Sequence, residues 1–521
     1  MPFARRSLPS LWMAWLASLL TLAGCAQLPP LQGRSESRLD PDTADTRLGR
    51  AVQAEVARHA PGESGVFLLD QGRDAFATRV LLAEAAERTL DVQYYIWRND
   101  MSGRLLFDAL RRAADRGVRV RLLLDDLGSG GLDATLAALD AHPGLEVRLF
   151  NPFVQRRFKP LGFLTDFGRA NRRMHNKSFT ADNQATVVGG RNVGDEYFGA
   201  EIDTLFVDLD VLAIGPVVQA VSEDFDRYWA SASAYPLALL LQGSTLLRDA
   251  APPAPKTLDA LPEGTRAYLD AVAQSPFVAE LLGARLPLHW APVELVSDDP
   301  AKGLGQAADE DLMFMRMARL VEAPAHSLKL VSPYFVPTAR GTALFERLAA
   351  SGVEVDILTN ALEATDVAVV HAGYVRWRAP LLRAGVGLYE MRRQSGDQDT
   401  GEKRRLGSSS AESLHAKTFV VDHQRLFVGS FNFDPRSAHL NTEMGLLIDS
   451  PEMASQMSRM LDQSLPSTAY HVQIDAQGRL SWTTESGTPP APLTTTTEPG
   501  SSAFKRLMLR VLGWLPIEGL L

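Results

Sequence analysis

The most constraining feature of this sequence is that its second half repeats the first at a fixed distance. His175 and His415 are 240 positions apart. The same offset relates five further pairs: Lys177 and Lys417, Asp182 and Asp422, Gly189 and Gly429, Asn192 and Asn432, and, conservatively, Asp203 and Glu443. So many matches at one offset rarely arise by chance, and a long internal repeat indicates a duplicated structural unit. The chain is therefore predicted to contain two related domains.

Each half also carries the same succession of predicted elements upstream of its histidine. An apolar strand, an amphipathic helix, a short turn containing Gly and a second apolar strand follow one another. These segments are residues 89–97, 105–114 and 118–124 in the first half and 328–336, 343–350 and 353–358 in the second. This order is typical of a βαβ unit and predicts an α/β fold with a parallel or mixed sheet in each half. The histidine motifs fall on further strand pairs, 177–180 with 185–188 and 417–421 with 425–428.

Length and composition are those of a globular protein. The chain has 521 residues, of which 45% are apolar and 22% charged, enough for two domain-sized cores. Its formal net charge of -9 argues against a protein that mainly grips long nucleic acid, because phosphate binding rests on a cationic footprint.

The N-terminus has the pattern of a targeting signal. Arg5 and Arg6 precede an apolar run at 11–22, which is shorter than the roughly 20 residues of a transmembrane helix. The following Leu-Ala-Gly-Cys, ending in the lone cysteine Cys25, resembles the lipobox of bacterial lipoproteins. An ordinary signal peptide that happens to contain a cysteine is the alternative. Ala26 resembles the sorting pattern for the Gram-negative outer membrane, so a membrane-anchored lipoprotein facing the periplasm is expected.

Composition divides the rest of the chain. The predicted parts are a signal peptide at 1–25, a flexible tether at 26–46, a first domain at 47–250, a linker and connecting region at 251–290, a second domain at 291–482, and a Thr/Pro-rich segment with an amphipathic stretch at 483–521. Residues 483–499 are predicted to be a second tether. Residues 395–413, rich in Gly, Ser and charge, are predicted to form a mobile loop before the second histidine.

The sequences around the two histidines resemble a known signature. MHNKSFTADNQATVVGGRN (174–192) and LHAKTFVVDHQRLFVGSFN (414–432) are similar to the paired His-x-Lys-x4-Asp motifs of the phospholipase D superfamily, and the resemblance covers about 79–465. It implies two homologous domains, each a mixed sheet flanked by helices, related by pseudo-twofold symmetry with the active site between them. The implied catalytic residues are His175, Lys177, Asp182, His415, Lys417 and Asp422. Within that set, the two aspartates are expected to hold the motif loops together rather than to touch substrate.

Two imidazoles in one cleft suit the transfer of a phosphodiester group. One can attack phosphorus while the other protonates the departing oxygen. Because alternate residues of a strand share a face, each motif histidine and the lysine two places on are expected to aim into the same cleft. The lysines, Asn192 and Asn432 are then expected to hold phosphate oxygens, with a hydroxyl from Ser430 where the first half has Gly190. No metal or other cofactor is expected.

The resemblance also implies roles for the two histidines. His175 is assigned as the nucleophile that forms a phosphohistidine, and His415 as the acid and then the base; the reverse assignment stays open because the halves are nearly symmetric. A carboxylate is expected to orient each imidazole and fix its tautomer. Asp203 and Glu443, each 28 residues after the histidine of its own half, are the candidates. A surface salt bridge is the alternative for both.

Two segments are candidates for membrane contact. Basic and large apolar side chains are interleaved between residues 156 and 173, which suits a surface that meets anionic headgroups, although a solvated loop packed on its own domain is the alternative. Near the C-terminus, apolar residues recur at helical spacing: Phe504, Leu507, Met508, Val511, Leu512 and Leu515. This stretch is predicted to be membrane-facing, with a helix docked on the core as the alternative.

Three further segments narrow the resemblance. NRRMHNKSF (171–179), VRLFNPF (147–153) and WLPIE (514–518) are similar to the lipoprotein-type branch of bacterial cardiolipin synthases. The resemblance implies a phosphatidyltransferase that makes cardiolipin, with phosphatidylglycerol as a substrate, phosphatidylethanolamine as a second candidate, a membrane surface as partner and no nucleic acid. A hydrolase using the same site, on lipid or nucleic acid, is one alternative, and an inactive membrane scaffold is the other.

Overall fold

A computed structural model describes residues 27–156, 158–200, 204–248, 261–283, 285–322, 324–393, 411–486, 491–513 and 518–521. The signal segment with Cys25, the candidate Asp203, Leu515 and most of the predicted mobile loop lie outside the described residues.

The described strands form one 18-stranded mixed sheet and a separate two-stranded pair. In chain order they are β1 (Glu63–Leu69), β2 (Thr89–Tyr94), β3 (Arg119–Asp125), β4 (Leu145–Phe150), β5 (Ser178–Ala181), β6 (Ala185–Gly189), β7 (Thr204–Val207), β8 (Asp210–Ile214), β9 (Ala234–Pro236), β10 (His289–Ser297), β11 (Ser327–Val331), β12 (Glu354–Asn360), β13 (Gly387–Met391), β14 (Ala411–Leu414), β15 (Lys417–Val421), β16 (Arg425–Gly429), β17 (Met444–Asp449), β18 (Ala469–Ile474), β19 (Leu480–Ser486) and β20 (Ala491–Thr495).

The sheet is symmetric about its centre, where β1 pairs antiparallel with β10. Outward from that contact the first half runs β1-β8-β6-β5-β2-β3-β4-β9, and the second runs β10-β17-β16-β15-β11-β12-β13-β18-β19-β20. The strands predicted to form βαβ units, β2 with β3 and β11 with β12, pair in parallel. The prediction of two related α/β domains is confirmed.

Helices cover both faces of this sheet. Their bounds are Arg47–Val56, Gly72–Ala85, Met101–Asp115, Asp133–Asp140, Gly162–Thr165, Phe167–Ala170, Asp195–Phe198, Pro216–Ala230, Leu237–Leu240, Thr245–Arg248, Glu263–Ala273, Pro276–Leu282, Met313–Glu322, Thr338–Ala350, Ala368–Val375, Arg378–Arg383, Pro435–His439, Pro451–Thr468 and Ala503–Gly513. Apolar side chains of helices and strands fill the space between them, for example where Trp97 stacks on Phe107. Of the helices in the described ranges, none combines the length and apolar character needed to cross a bilayer.

The predicted N-terminal tether is wrong for residues 34–46, which lie along the first domain. The buried Arg121 and Arg148 donate to the backbone oxygens of Ser37 and Ser35, and Trp229 Nε1 donates to Ser37 Oγ at 3.0 Å. The polar residues that suggested a solvated tether instead supply hydrogen-bond partners for buried donors. Only residues 26–33 separate this docked strap from the predicted signal peptide, which ends at Cys25.

Two other boundaries differ from the composition-based division. Residues 483–486 and 491–495 are strands that extend the second sheet as a hairpin, so the predicted second tether is wrong there; threonine favours extended backbone. Within the predicted linker, two helices pack on the first domain, where the Tyr268 hydroxyl donates to the Phe198 oxygen and Phe277 joins the core. The second domain begins with β10 at His289 rather than at 291.

Candidate active site

The two histidine motifs fold as matching hairpins, β5 with β6 and β15 with β16. Each turn places two residues at positive φ: Asp182 and Asn183 at 49° and 51°, and Asp422 and His423 at 53° and 52°. Asp and Asn tolerate this left-handed region better than most residues. The motif aspartates therefore occupy positions that shape the turns.

Backbone amides donate hydrogen bonds to the side chains of the motif aspartates. Each carboxylate accepts from three consecutive N–H groups just before or at the start of a neighbouring strand. The donors are Glu87, Arg88 and Thr89 for Asp182, and Ala325, His326 and Ser327 for Asp422. These hydrogen bonds connect each hairpin to the strand beside it. Both aspartate side chains therefore support the fold rather than contact a substrate.

Removing these carboxylates is expected to destabilise the protein unequally. Asp182 is fully buried, whereas Asp422 and its donors are partly exposed to water that can replace the lost bonds. We expect Asp182→Ala to lower the free energy of unfolding by about 3 kcal/mol and Asp422→Ala by about 1 kcal/mol. Urea unfolding measures both, and the Asn variants, which keep one acceptor, should lose less. Equal losses at the two positions would contradict this reading of the site.

Each motif histidine is held by a carboxylate from the other half of the chain. His175 Nδ1 lies 2.7 Å from Glu443 Oε2, and His415 Nδ1 lies 2.5 Å from Asp208 Oδ2. All four side chains are buried. Because a carboxylate only accepts, each neutral imidazole carries its proton on Nδ1, and the lone pair lies on Nε2.

Backbone pairing between the halves enforces this exchange of partners. The His175 amide donates to the Thr442 oxygen and the His415 amide to the Val207 oxygen, both at 2.8 Å. β7 pairs in parallel with β14, and an isolated bridge joins Met174 to Thr442 at the equivalent place. The backbone just before Glu443 therefore lies beside the backbone just before His175, and the backbone just before Asp208 lies beside that just before His415.

The carboxylate at His415 is Asp208, which the sequence reasoning missed. Asp203, the candidate from the fixed offset, lies outside the described residues, and Asp208 occupies the place equivalent to Glu443. Asp208 lies two residues before Asp210, which pairs with the motif glycine Gly189. In the same way, Glu443 lies two residues before Gly445, which pairs with Gly429. The loop before Asp208 is five residues longer than its counterpart before Glu443, so the offset of 240 fails there.

Ser430, the predicted phosphate ligand, has its hydroxyl engaged within the protein. Its hydroxyl is fully buried and donates to Glu443 Oε2 at 2.5 Å, while Ser437 donates to Glu443 Oε1 at 2.8 Å. Ser430 therefore positions the carboxylate. The first half has no room for a matching hydroxyl, because a Cβ at Gly190 would lie 2.1 Å from Asp208 Oδ1.

The two motif lysines are buried beside their histidines. Lys177 Nζ donates to the His175 backbone oxygen at 2.5 Å, and Lys417 Nζ donates to the equivalent oxygen of His415. Lys417 Nζ also lies 2.9 Å from His415 Nδ1. An ammonium group has three donors, so each lysine keeps at least one for a bound anion. Among the described residues, no group of three or more His, Cys, Asp and Glu side chains is placed to hold a metal ion.

The motif asparagines line the cleft together with the two histidines. Asn192 is already engaged, since its side chain accepts from the Ile96 amide and donates to the Tyr197 hydroxyl, both at 3.1 Å. The buried Oδ1 of Asn432 has no hydrogen-bond partner within the described part of the chain. Asn432 is thus the freer of the two to meet a substrate.

The cleft holds about 680 Å³, a size suited to a small ligand or a lipid headgroup. Tyr95 packs edge-on against His175 and Tyr197 against His415, with ring centroids 5.0 and 5.3 Å apart. Sequence reasoning missed both tyrosines. The remaining lining residues include Ile96, Arg98, Glu196, Tyr334, Asp366, Val367, Val369, Val370, Asp434, Arg436, Ser437, Asn441, Leu520 and Leu521.

Burial and charge set the protonation states of the site. Burial lowers the pKa of His175 to about 4 and lowers that of His415. It also lowers the pKa of Lys177 to about 7 and that of Lys417 to about 8. For Glu443, burial acts to raise the pKa, but the neighbouring His175 and lysine charge outweigh it and the net shift is downward. The resting site therefore has neutral imidazoles donating to an ionised carboxylate.

Comparison with known proteins places these motifs in a family. The family described as "Cardiolipin synthase, PLD-like domain" matches residues 80–229 and 317–465, and each match contains one histidine motif. Cardiolipin synthase C of Escherichia coli (strain K12) is 50% identical over 478 residues, 91% of this chain and 100% of that protein. Cardiolipin synthase A of Pseudomonas putida (strain W619) is 28% identical over 399 residues, 76% of this chain and 67% of that protein.

The fold is also similar to a solved structure. The crystal structure of phosphatidylserine synthase from Haemophilus influenzae Rd KW20 superposes with a TM-score of 0.54 at 14% sequence identity, covering 81% of this chain and 92% of that chain. At this identity the likeness concerns the fold alone.

Proposed function

The chain belongs to the cardiolipin synthase family of phospholipase D-like proteins, and from that premise we propose that it is a phosphatidyltransferase that joins phospholipids into cardiolipin through a phosphohistidine. The observation that carries the proposal is the crossed pairing of His175 with Glu443 and of His415 with Asp208 in one cleft. Two imidazoles, each with Nδ1 fixed by a carboxylate, supply a nucleophile and a proton donor for a two-step displacement.

In the first step, Nε2 of His175 attacks the phosphorus of a phosphatidylglycerol donor. The bond from phosphorus to the glycerol oxygen breaks, and that oxygen takes a proton from Nε2 of His415, so glycerol leaves and a phosphatidyl-histidine remains. Lys177, Lys417 and the Nδ2 amide of Asn432 supply donors to the nonbridging oxygens as their charge develops. The negative phosphate also favours the protonated form of His415 while substrate is bound.

An asymmetry between the two carboxylates favours His175 as the nucleophile. Glu443 accepts from the hydroxyls of Ser430 and Ser437 as well as from His175. A carboxylate whose charge is shared among several donors stabilises an imidazolium less, so His175 stays neutral. Asp208 accepts from His415 and from its neighbour's amide at 2.8 Å, and so supports the protonated state that an acid needs.

In the second step, a hydroxyl of the glycerol headgroup of another phosphatidylglycerol replaces the histidine. His415, now neutral, removes the proton of that hydroxyl as its oxygen attacks phosphorus, and the bond to His175 breaks to release cardiolipin. Val369, Val370 and Leu521 form an apolar part of the cleft lining, which favours a lipid acceptor over water. Phosphatidylethanolamine is a second candidate substrate.

Family membership makes this a bacterial, membrane-associated protein, and we propose that Cys25 is the lipid anchor of a periplasmic lipoprotein of the outer membrane. The docked strap begins at Arg34, whose guanidinium donates to the Ser231 oxygen at 2.7 Å. Nine residues extend at most about 30 Å. An anchor at Cys25 would therefore hold this side of the first domain close to the bilayer.

Product analysis tests the proposed reaction. The protein beginning at Gln27, which keeps every described contact, is incubated with labelled phosphatidylglycerol in mixed micelles with EDTA. Mass spectrometry should find cardiolipin and glycerol in equal amounts. Phosphatidic acid as the only lipid product would instead indicate hydrolysis, and cleavage of DNA with no lipid product would contradict the lipid assignment.

The pH dependence of kcat, which reports the complex in which bound phosphate keeps His415 protonated, should be bell-shaped. Activity should fall at low pH as His175, with a pKa of about 4, becomes protonated and loses its nucleophilic lone pair. It should fall at high pH because Lys177 and Lys417, with pKa values of about 7 and 8, are charged below those values and lose the charge above them. Lys177→Arg, which stays charged, should move the alkaline limb to higher pH even if the maximum drops. An unchanged alkaline limb in that variant would contradict the role given to Lys177.

A further inference from the structure

Exposed large apolar side chains are concentrated in two segments. Fifteen such side chains occur among the described residues, and eight of them belong to these segments. We call the first the apolar ridge; it consists of Phe158, Leu161, Leu164 and Phe167. We call the second the apolar stripe; it consists of Phe504, Leu507, Met508 and Val511. Grouped apolar exposure of this kind indicates an interaction surface.

The apolar ridge is a built structure rather than a loose loop. At its base, Phe163 packs edge-on against Phe153, with ring centroids 5.4 Å apart. Arg156 and Lys159 both bind the buried Asp126, at 2.6 and 2.8 Å. These cations, predicted from the sequence to meet anionic headgroups, are instead neutralised within the domain. What the ridge presents outward is apolar, and Leu164 is its most exposed member at 82%.

The apolar stripe lies on one face of the helix Ala503–Gly513. Another face docks on the second domain, where Leu509 and Leu512 pack against Leu362 and Ala372. The stripe follows i, i+3, i+4 and i+7, which defines a single line along the helix. Both alternatives drawn from the sequence therefore apply to this helix: it is docked, and it keeps an exposed apolar face with the exposed cation Lys505 beside it.

Each segment is connected to residues that line the catalytic cleft. The ridge leads into Asn171, whose backbone oxygen accepts from Arg436 at 3.0 Å, and Arg436 lines the cleft. The helix that carries the stripe packs on the helix Ala368–Val375, which contributes Val369 and Val370 to the lining. One contact or one packed helix thus separates each exposed apolar segment from the cleft lining.

We propose that the apolar ridge and the apolar stripe form one docking face that seats the cleft mouth on a phospholipid bilayer containing anionic lipid. The inference rests on the proposed function, which draws both substrates from a membrane. A fluid bilayer can meet two separate apolar edges and still offer headgroups to the cleft between them, whereas a folded partner covering both edges would close it. The aromatic and aliphatic side chains enter the acyl boundary, and Lys505 meets anionic headgroups.

Vesicle binding tests the docking face. The protein beginning at Gln27 is titrated with vesicles of phosphatidylethanolamine, with and without phosphatidylglycerol. Leu164→Asp and Leu507→Asp should each weaken binding about tenfold or more, since each removes a buried leucine from the interface. The matched control is Leu282→Asp, which changes a side chain that is 69% exposed on a helix packed against the outside of the first domain. It should bind as the unaltered protein does.

A second readout separates docking from catalysis. Because Cys25 is the only cysteine, the protein from Gln27 has none, and an environment-sensitive fluorophore can be attached at Leu164→Cys, Leu507→Cys or Leu282→Cys. The first two labels should report an apolar environment on vesicle addition and the third should not. Turnover of monomeric short-chain phosphatidylglycerol should be unchanged in Leu164→Asp and Leu507→Asp.

The outcomes distinguish the two proposals. Ridge and stripe variants that bind vesicles normally, or a control that loses binding equally, would overturn the docking face. Position-dependent binding without any lipid product from the monomeric substrate would support the docking face and overturn the proposed reaction.

Discussion

His175→Ala should reduce kcat by about 10⁴-fold or more, because it removes the atom to which the phosphatidyl group is transferred. His415→Ala should reduce turnover of phosphatidylglycerol by about 10²- to 10⁴-fold, the usual contribution of general acid–base catalysis. Each change leaves a buried carboxylate, Glu443 or Asp208, without one of its donors, so some loss of folding stability is expected beside the loss of activity. The fall in kcat is therefore measured on variants whose circular dichroism spectrum matches that of the unaltered protein.

A substrate with a good leaving group separates the two roles. A phosphatidyl ester of nitrophenol needs no acid to release its alcohol, so His415→Ala should give a burst of one equivalent of nitrophenol and retain a phosphatidyl group on His175. His175→Ala should give no burst. The matched control is His423→Ala, in the turn of the hairpin that follows His415. The His423 ring contacts Ser458 rather than the cleft. A burst from His175→Ala and none from His415→Ala would reverse the assignment.

The second large effect is expected at the crossed carboxylates. Glu443→Gln keeps the shape of the side chain but can present its amide N–H to Nδ1 of His175, which favours the wrong tautomer. We expect kcat to fall by about 10³- to 10⁴-fold, as when a neutral amide replaces the carboxylate that orients a catalytic histidine. Asp208→Asn should act in the same way on His415. KM should change much less than kcat in both variants.

Graded substitutions test whether Glu443 acts through hydrogen-bonded positioning. Ser437→Ala removes one donor to Glu443 and should lower kcat by about tenfold, a smaller effect than loss of the charge. The low-pH limb of the rate profile should move in opposite directions in the two cases. Without the charge of Glu443 the pKa of His175 falls further, and without the Ser437 hydroxyl it rises. A profile that stays fixed in both variants would show that Glu443 merely supports the fold.

The repeat predicted the architecture because duplication preserves the pattern that folds each half. The offset from His175 to His415 aligned both hairpins and both motif turns, the βαβ units matched with small gaps, and all of them occur where the sequence placed them. The same offset failed at Asp203, because five additional residues in one loop shift every later equivalence. A loop insertion changes the spacing along the chain without changing the sheet register.

Tertiary pairing across the halves was beyond sequence reasoning. Each histidine was matched with a carboxylate of its own half, since nothing in a linear pattern shows that Glu443 crosses to His175. Composition misled in a different way for residues 34–46, 483–486 and 491–495. A polar, Pro-rich or Thr-rich segment can be a solvated tether or can satisfy buried donors and extend an open sheet, and only its neighbours decide which.

The crossed pairs also determine when the enzyme becomes competent. The contact of His415 with Asp208 spans 207 residues and that of His175 with Glu443 spans 268, so the site closes only after both domains have emerged and met. Contacts of such sequence separation form late because a long loop must be ordered first. A nascent chain that has folded only its first domain contains His175 without Glu443 and Asp208 without His415. Catalytic activity should therefore appear only when the chain is complete. A truncated chain should have no activity on the phospholipids of the membranes that it contacts.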